Sequence, residues 1–351
     1  MVTKQICKTA LLLVLVLSLV LTGCAVAQEP ETQPEKKQYN ATFLTLFDTV
    51  TTIVGKAEDE DSFRATAQSV HDKLLRYHQL FDVYNDYEGL NNLKTVNDNA
   101  GIAPVEVDQA VIELLNDCKA YYELTVGMVN PAMGSVLLLW HEARDDGIND
   151  PAHAYLPDSQ QLAEAAEHMD LNAVIIDEAA STVYLPDAEM RLDVGAVAKG
   201  WSVQRVCEHA PEGLLISVGG NVCATGPKDD SGTPWVVGIQ NPDGGEEYLH
   251  TLYVTKGSVV TSGDYQRAYV VDGELYHHII DPATCYPSTY WRSVTILCED
   301  SGLADALSTA LFLLPLEAGQ AVLDGLDAEA MWVDREGKMF YSPGFEENIR
   351  T

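Results

Sequence analysis

The order of apolar and polar residues along the chain predicts alternating helices and strands. Apolar side chains recur at helical spacing over residues 63–81 and 107–122, and a third helical pattern covers 159–169 behind Pro157. Runs typical of strands occupy 173–177, 182–185, 190–193, 214–218, 235–239, 249–255 and 292–298. A helix is expected to begin near Ala196, and a buried helix is expected over 302–314.

Turn signals between these runs indicate how the strands connect. Asp272 and Gly273 predict a hairpin within residues 268–280, and Glu336 and Gly337 predict another that follows a shorter, final helix. Strands joined by hairpins and interrupted by helices fit α+β layering better than a doubly wound parallel sheet. We therefore predict an α+β fold of mixed, largely antiparallel sheets flanked by helices.

The N-terminal residues predict export and lipid attachment. Lys4 and Lys8 precede an apolar run over residues 10–21, which is short for a membrane span and typical of a secretory signal. Residues 21–24, Leu-Thr-Gly-Cys, resemble the lipobox of bacterial lipoproteins, which implies cleavage before Cys24 and a lipid on its thiol. The alternative is an ordinary signal peptide with an incidental cysteine.

These features divide the chain into three expected parts. Residues 1–23 are a lipoprotein signal peptide, and residues 24–40 are a flexible tether, because Gln, Glu, Pro, Thr and Lys offer little to bury. Residues 41–351 form the folded domain. The expected location is the extracytoplasmic face of the bacterial cell membrane, with the chain lipid-anchored there.

Charge and cysteine content restrict the partners and the chemistry. The formal net charge is −32, which makes nucleic acid an unsuitable partner and means that a site for an anionic nucleotide needs a metal ion or backbone dipoles. The charge is alternatively a solubility or salt-tolerance trait. Once Cys7 is cleaved off and Cys24 is lipidated, five widely spaced cysteines remain, predicted to be mostly buried free thiols: Cys118, Cys207, Cys223, Cys285 and Cys298.

The segment Arg-Leu-Asp-Val-Gly-Ala-Val-Ala-Lys-Gly at residues 191–200 is a candidate phosphate site. The sequence contains neither Gly-x-x-x-x-Gly-Lys-Ser/Thr nor Gly-x-Gly-x-x-Gly after a strand, so phosphate chemistry requires another device. Here a strand, a glycine turn and a helix start bring backbone N–H groups and a positive helix end to one point, beside Asp193 and Lys199. A plain connection between two elements is the alternative.

Asp305 and Thr309 are four residues apart in an apolar helix, so they share one face. A carboxylate and a hydroxyl, joined by a carbonyl from elsewhere, form the hard oxygen site that Mg²⁺ prefers. Alternatively, Asp305 only favours a helix N-terminus while Thr309 bonds back to a carbonyl.

A third segment combines residues 260–267 with 276–287. His278 is a candidate base, because an imidazole can remove a proton from a hydroxyl near neutral pH. His277 would point to the opposite face of a strand. Asp281, before Pro282, caps a turn in the simplest interpretation.

Taken together, these motifs resemble the ApbE family of FAD:protein FMN transferases, in family order over residues 45–341. The matching segments are Asp-x-Gly-x-x-Ala-Lys-Gly at 193–200, Ser-Gly-Asp-Tyr at 262–265, His-x-x-Asp-Pro-x-Thr at 278–284 and an Ala-Asp-Ala helix at 304–306. Cys285 replaces the usual glycine, which leaves the local loop geometry open, because a positive φ there would cost more for cysteine.

The resemblance implies an ApbE-like fold and a set of site residues. Weaker matches are Phe-Asp-Thr at 47–49, similar to an entry strand, Phe-Asp-Val-Tyr at 81–84, and the segment 127–134, in which Asn130 replaces an aspartate; Ser-Val-Gly-Gly-Asn at 217–221 matches as well. The implied FAD contacts are Phe47, Tyr84, Met128, Val129, Asn130, Asp193, Lys199 and His278, although aromatic and methionine residues are alternatively core. The implied metal ligands are the Ala196 carbonyl, Asp305 and Thr309.

The reaction that the resemblance implies is Mg²⁺-dependent phosphoryl transfer with FAD as the substrate. A threonine hydroxyl of an exported client protein attacks the FMN phosphorus, AMP departs, and His278 and Asp305 are the catalytic residues. The remaining partner is the membrane, contacted through the N-terminal lipid. Two alternatives stay open: a metal-dependent FAD pyrophosphatase that gives FMN and AMP, and a non-catalytic flavin-binding lipoprotein.

Overall fold

The computed structural model describes residues 36–350. The expected signal peptide, the lipidation site Cys24 and residues 24–35 of the expected tether lie outside the described residues. The expected boundary at residue 41 is wrong, because residues 37–40 belong to strand β1 and pair with β2. Within residues 36–350, none of the helices combines the length and the apolar character that crossing a membrane requires.

An eight-stranded antiparallel sheet forms the centre of the fold. Its strands run in the spatial order β1-β2-β6-β7-β10-β13-β14-β15, and smaller sheets pair β3-β5-β4, β8-β9 and β11-β12. The strands are β1 Lys37–Leu46, β2 Thr49–Ala57, β3 Val105–Glu106, β4 Ile175–Asp177, β5 Thr182–Tyr184, β6 Leu214–Val218, β7 Asn221–Ala224, β8 Trp235–Gln240, β9 Tyr248–Val254, β10 Gly257–Gly263, β11 Tyr269–Val271, β12 Glu274–Tyr276, β13 Trp291–Cys298, β14 Ala328–Asp334 and β15 Met339–Tyr341.

Helices pack on this sheet and extend beyond it. They are α1 Glu60–Phe81, α2 Leu93–Asp98, α3 Gln109–Leu124, α4 Gly134–Asn149, α5 Ser159–Ala166, α6 Ala198–Cys207, α7 Ser301–Leu313 and α8 Leu316–Leu323. Short 3₁₀ segments occupy Pro151–His153, Leu171–Ala173 and Phe345–Asn348. The α+β class and the largely antiparallel sheet agree with the sequence prediction.

The buried helix α7 holds the layers together. Asp300 begins it by accepting a hydrogen bond from the Leu303 N–H at 2.8 Å. Ala304, Leu307 and Leu311 are fully buried, as are most other residues of the helix. A helix that is apolar on nearly all sides must be covered on all sides, and α7 packs against α6, β10 and β13.

Most predicted elements are present, but the strand predicted at 190–193 is wrong. The backbone of Leu192 donates to the Asn97 side chain and accepts from it, at 2.7 and 2.9 Å. The Asp193 N–H bonds to the Pro131 carbonyl, and the Arg191 carbonyl accepts from Gly134. The backbone hydrogen bonds of this segment are therefore made to partners outside any sheet. Met133 and Arg191 form an isolated bridge and not a strand pair.

The sequence analysis did not predict α4, and its burial pattern explains why. Only a narrow stripe of this helix is buried, formed by Val136, Trp140, Ala143 and Gly147 after its first residue. The exposed face carries several charged residues, so the apolar periodicity is weak.

The hairpin expected around Asp272 and Gly273 is confirmed, with φ of 51° and 87° at the two turn residues.

Shortening a buried side chain of α7 should destabilise the whole domain. We expect Leu311→Ala to lower the free energy of unfolding by about 2–5 kcal/mol, because a fully buried leucine leaves a cavity that the packed layers cannot fill. Urea denaturation followed by circular dichroism measures this loss. Leu44→Ala on β1, where the side chain is 71% exposed, is the matched control and should change stability by less than about 0.5 kcal/mol; equal losses in the two variants would contradict the central role of α7.

Candidate active site

A cavity of about 650 Å³ opens where α4, α6 and α7 approach the hairpin turns of the sheets. Its wall brings together most of the residues singled out in the sequence. These are Tyr84, Met128, Val129, Asn130, Asp193, Ala196, Lys199, His278, Asp305 and Thr309. The volume falls within the range of small-molecule and cofactor sites.

Asp305 joins the two helices that form the floor of the cavity. It is 3% exposed, and its Oδ2 accepts a hydrogen bond from the Gly200 N–H at 2.8 Å. The carboxylate thus caps the first turn of α6, a neighbouring helix, and not the N-terminus of its own helix. The alternative interpretation from the sequence, in which Asp305 favours a helix N-terminus, was right about the kind of interaction. The helix that it caps is α6, however, and not α7, which carries it.

Gly200 is required for this contact. A Cβ at position 200 would collide with the Ser301 carbonyl oxygen and the Asp305 Cβ. The two helices therefore approach to a distance that only glycine permits. A second bond between the helices runs from the Ser301 N–H to the Gln204 side chain, at 2.9 Å.

Charged side chains of both signs surround the start of α6. Lys199 Nζ lies 3.7 Å from Asp305 Oδ1 and 3.5 Å from the Gly195 carbonyl. Asp193 accepts from the Gly195 N–H at 2.8 Å. Burial raises the pKa of Asp193, although this hydrogen bond and the nearby Arg267 oppose the shift.

The donor set suits a hard cation. Thr309 lies one turn beyond Asp305 in α7, and its hydroxyl forms no hydrogen bond within residues 36–350; the back-bond to Asp305 comes instead from Ser308, at 2.9 Å. The same part of the chain contains no group of three or more His, Cys, Asp or Glu side chains placed to hold a metal ion together. A metal at this point would therefore use one carboxylate and neutral oxygens, as Mg²⁺ does when substrate phosphates complete its shell.

His278 faces the cavity with a defined tautomer. Its Nδ1 lies 3.1 Å from the Gln266 carbonyl oxygen, which can only accept, so Nδ1 carries the proton and Nε2 keeps its lone pair. The side chain is half-buried in the wall. Burial first, and then the nearby cation Arg267, lower its pKa to about 3, so the imidazole is neutral near pH 7.

His277 has a structural role. It is 5% exposed, its ring meets Phe312 edge-on at 5.4 Å, and its Nδ1 accepts from the Ile279 N–H. Its Nε2 donates to the Ser288 carbonyl at 2.8 Å. Both nitrogens are thus satisfied only in the neutral form, and burial lowers the pKa of His277.

The segment 47–49 reaches the cavity, but not through the residue that was predicted to do so. Phe47 is not in the cavity wall, whereas Asp48 and Thr49 are. The expected entry strand is wrong at Phe47 and Asp48, which form the turn between β1 and β2 with φ of 51° and 53°. Phe47 contributes its carbonyl oxygen, which accepts from Arg267 at 3.0 Å.

Tyr84 and Asn130 differ in what they offer to the cavity. Tyr84 stacks on His141 with ring centroids 4.4 Å apart, so it presents an aromatic surface, and burial raises its pKa. The Asn130 side chain is occupied, because it donates to the Met169 carbonyl and accepts from the Ala132 N–H, each at 2.9 Å. Asn130 therefore shapes the loop that carries Met128 and Val129.

Sequence reasoning missed three polar groups in the wall. Arg144 and Arg267 add positive charge, and Asn221 is 1% exposed with an Nδ2 that has no partner among the described residues. An unpaired buried donor is costly unless a ligand or water satisfies it. The hairpin glycines before Asn221 gave a signal, since Gly219 has a φ of 56° and a Cβ there would meet Thr49 at 2.7 Å.

The loop after His278 adopts the geometry that the Cys285 replacement left open. Cys285 has a φ of 59°, the region that favours glycine. Its N–H bonds to the Asp281 carbonyl at 2.8 Å, and its carbonyl accepts from Trp140 Nε1 at 2.8 Å. Asp281 also caps this turn through the Ala283 N–H, as the simplest interpretation of its sequence predicted.

Comparison with known protein families identifies the class to which this fold and site belong. The family model described as "ApbE family" matches residues 47–332. The chain therefore belongs to the ApbE family.

Two curated relatives show the relationship in sequence. The chain is similar to the FAD:protein FMN transferase of Treponema pallidum (strain Nichols), at 36% identity over 280 residues, 74% of this chain and 75% of that protein. It is also similar to a Klebsiella pneumoniae (strain 342) protein of the same name, at 32% identity over 285 residues, covering 78% and 86% of the two chains.

Solved structures show the shared architecture. The ApbE protein of Thermotoga maritima superposes with a TM-score of 0.79 at 29% identity, covering 90% of this chain and 100% of that one. The flavin transferase ApbE of Vibrio cholerae gives a TM-score of 0.73 at 21% identity with the same coverage, which supports the fold alone. The predicted ApbE-like fold is thereby confirmed.

The neutral His277 makes stability depend on pH. Its pKa lies below the ordinary 6.5 in the folded state, so its contribution is present above pH 6.5 and is lost as the pH falls further. We expect His277→Gln to cost about 1–3 kcal/mol at pH 7 and to flatten the decline in unfolding free energy between pH 6.5 and 5. Urea denaturation at several pH values measures both effects; the exposed His153→Gln should leave the curve unchanged, and a parallel curve for His277→Gln would contradict the assignment.

Proposed function

We propose that this chain is an FAD:protein FMN transferase that cleaves FAD, attaches FMN to a threonine of an exported client protein and releases AMP. The observation that carries the proposal is one nucleotide-sized cavity where the α6 N-terminus, the buried Asp305 and the neutral His278 converge. Family membership and relatives of this name support it. The aromatic surface of Tyr84 suits the stacking of a planar ring.

The proposal includes the organisation expected from the sequence. Residues 1–23 are a lipoprotein signal peptide and the tether begins at residue 24. The flavin transferase domain begins at Lys37, four residues earlier than the sequence predicted, because β1 starts there. A lipid on Cys24 would hold the domain at the extracytoplasmic face of the membrane. The client is then another exported protein.

We infer that Mg²⁺ is held by the Ala196 carbonyl oxygen, the Asp305 carboxylate and the Thr309 hydroxyl. All three residues line the cavity, and within residues 36–350 the ion pair of the buried carboxylate is with Lys199, at 3.7 Å. When bound, Mg²⁺ supplies charge neutralisation of the diphosphate and of the departing AMP.

The protein side chains would orient the reactants and move one proton. His278 Nε2 accepts the proton of the threonine hydroxyl, while the Gln266 carbonyl holds Nδ1–H and fixes the orientation of the ring. Lys199 and Arg267 attract the phosphates in a strongly acidic protein. Asn221 offers its unpaired Nδ2 to the bound nucleotide.

Incubation with FAD, Mg²⁺ and a threonine-containing client tests this function. We expect flavin fluorescence to remain on the client after denaturation and AMP to form in equal amount. A client in which the acceptor threonine is replaced by alanine is the control. Free FMN with AMP would indicate the pyrophosphatase instead, and intact bound FAD would indicate a flavin-binding protein without catalysis.

Asp305→Asn tests the metal assignment with little disturbance of the fold. The amide oxygen can still accept from the Gly200 N–H, but the charge is lost. We expect the Mg²⁺-dependent rate to fall by at least about 100-fold while the thermal unfolding midpoint changes little. Asp324→Asn, at the exposed end of α8, is the control and should keep the full rate; an Asp305→Asn enzyme with an undiminished rate would refute the assignment.

A further inference from the structure

A buried ion pair lies directly behind the cavity wall, where β10 ends. Asp264 is 2% exposed, and its two carboxylate oxygens lie 2.9 and 3.2 Å from the Arg292 Nε. The Asp264 N–H also donates to the Arg292 carbonyl oxygen at 2.9 Å, so backbone and side chain join the same two residues. Neither residue lines the cavity, whereas Gln266, two positions further along the chain, does.

An irregularity in β13 determines where the side chain of Arg292 points. The residues that flank it, Trp291 and Ser293, pair with two consecutive residues of β14, so Arg292 is the extra residue of a β-bulge. A bulge turns a side chain away from the direction that regular alternation would give it. The guanidinium also reaches the β8–β9 connection, where its terminal nitrogens donate to the Pro242 carbonyl at 3.0 Å and to the Asp243 carboxylate at 2.8 Å.

The turn that follows β10, residues 264–267, is held at both ends. The ion pair fixes its first residue, Asp264, and its last residue, Arg267, donates to the Phe47 carbonyl at 3.0 Å. Arg267 has a φ of 44°, a conformation that a residue other than glycine keeps only where its surroundings require it. Gln266 lies between these two anchors, and its carbonyl oxygen is the one that accepts from His278 Nδ1 at 3.1 Å.

Stability alone does not account for a buried ion pair at this place. Removing two charges from water costs much of the free energy that their attraction returns, so apolar residues of similar volume often stabilise a fold equally well. A planar fork of nitrogens that binds a carboxylate and a carbonyl of different segments, by contrast, restricts both segments to one relative position. The main effect of the Asp264–Arg292 pair is therefore the position that it imposes on residues 264–267.

We propose that Asp264 and Arg292 are positioning residues for His278, because their ion pair holds the turn that presents the Gln266 carbonyl to Nδ1. The tautomer of a neutral imidazole is set by the partners of its ring nitrogens. Without that carbonyl in place, the ring is free to carry its proton on Nε2, and the lone pair that would accept a proton is lost. The catalytic consequence rests on the proposed function, whereas the tautomer does not.

The tautomer of His278 can be measured by NMR of the full chain with ¹⁵N-labelled histidine. Long-range ¹H–¹⁵N spectra distinguish a protonated ring nitrogen from an unprotonated one, and the peaks of His278 are those that His278→Gln lacks. Near neutral pH we expect Nδ1 to carry the proton in the parent chain. In the double variant Asp264→Leu/Arg292→Met, a form protonated at Nε2 should appear beside it, because the Gln266 carbonyl is no longer held in place.

Two further variants make the comparison specific to the buried pair. The double variant leaves no unpaired charge in the interior, so it should remain folded. Asp264→Asn is a milder change, which keeps the shape of the side chain, removes the charge that strengthens its bond to Arg292 and should shift the tautomer in the same direction. Asp243→Asn is the matched control, because it removes only the partner of Arg292 whose side chain is 71% exposed, and it should keep Nδ1 protonated.

Two results would overturn the positioning role. One is a parent chain in which His278 carries its proton on Nε2, and the other is Nδ1–H as the sole form in every variant of the pair that circular dichroism shows to be folded. In the double variant we also expect kcat for flavin transfer to fall by about 10-fold or more, with little change in the KM for FAD. A shifted tautomer in a protein whose parent chain transfers no flavin would support the positioning role and refute only the proposed function.

Discussion

The hydrogen bond from the Gly200 N–H to the Asp305 carboxylate is the contact on which the candidate site depends. It requires a glycine on α6, because a Cβ would collide with α7, and it places a negative charge at the positive end of α6. The rigidity of α7, which is buried on nearly all sides, then fixes where that charge lies. Packing of the core and placement of the proposed metal ligand are therefore one structural feature.

The strong acidity of the chain limits how the cavity can accept an anion. With a formal net charge of −32, the protein repels an anionic dinucleotide at long range. Arg144, Lys199 and Arg267 line the cavity, but so do the four carboxylates of Asp48, Asp145, Asp193 and Asp305, so the side chains alone do not make the wall positive. A divalent metal held by Asp305 would therefore supply positive charge that the side chains of the wall do not provide.

Helices and turns that depend on local sequence pattern were predicted correctly. Elements and site residues that depend on contacts with residues distant in sequence were not. Helical periodicity located α1, α3 and α7, and the Asp-Gly turn located the β11–β12 hairpin. The segment 190–193 has the composition of a strand, but the side chain of Asn97, far away in sequence, takes its backbone hydrogen bonds. Helix spacing placed Asp305 and Thr309 on one face, and the family resemblance then pointed to them as site residues, whereas Arg267 and Asn221 reach the cavity only through the tertiary fold.

The adjacent histidines show how such a site acquires its chemistry from the backbone around it. His277 is held neutral by the Ser288 carbonyl and the Ile279 N–H, which anchors the segment against Phe312. That anchoring carries His278 to the Gln266 carbonyl, which takes the Nδ1 proton and leaves the Nε2 lone pair available. Burial is the main cause of the low His278 pKa, and the positive charge of Arg267 lowers it further, so phosphates bound near Arg267 would offset only the second contribution.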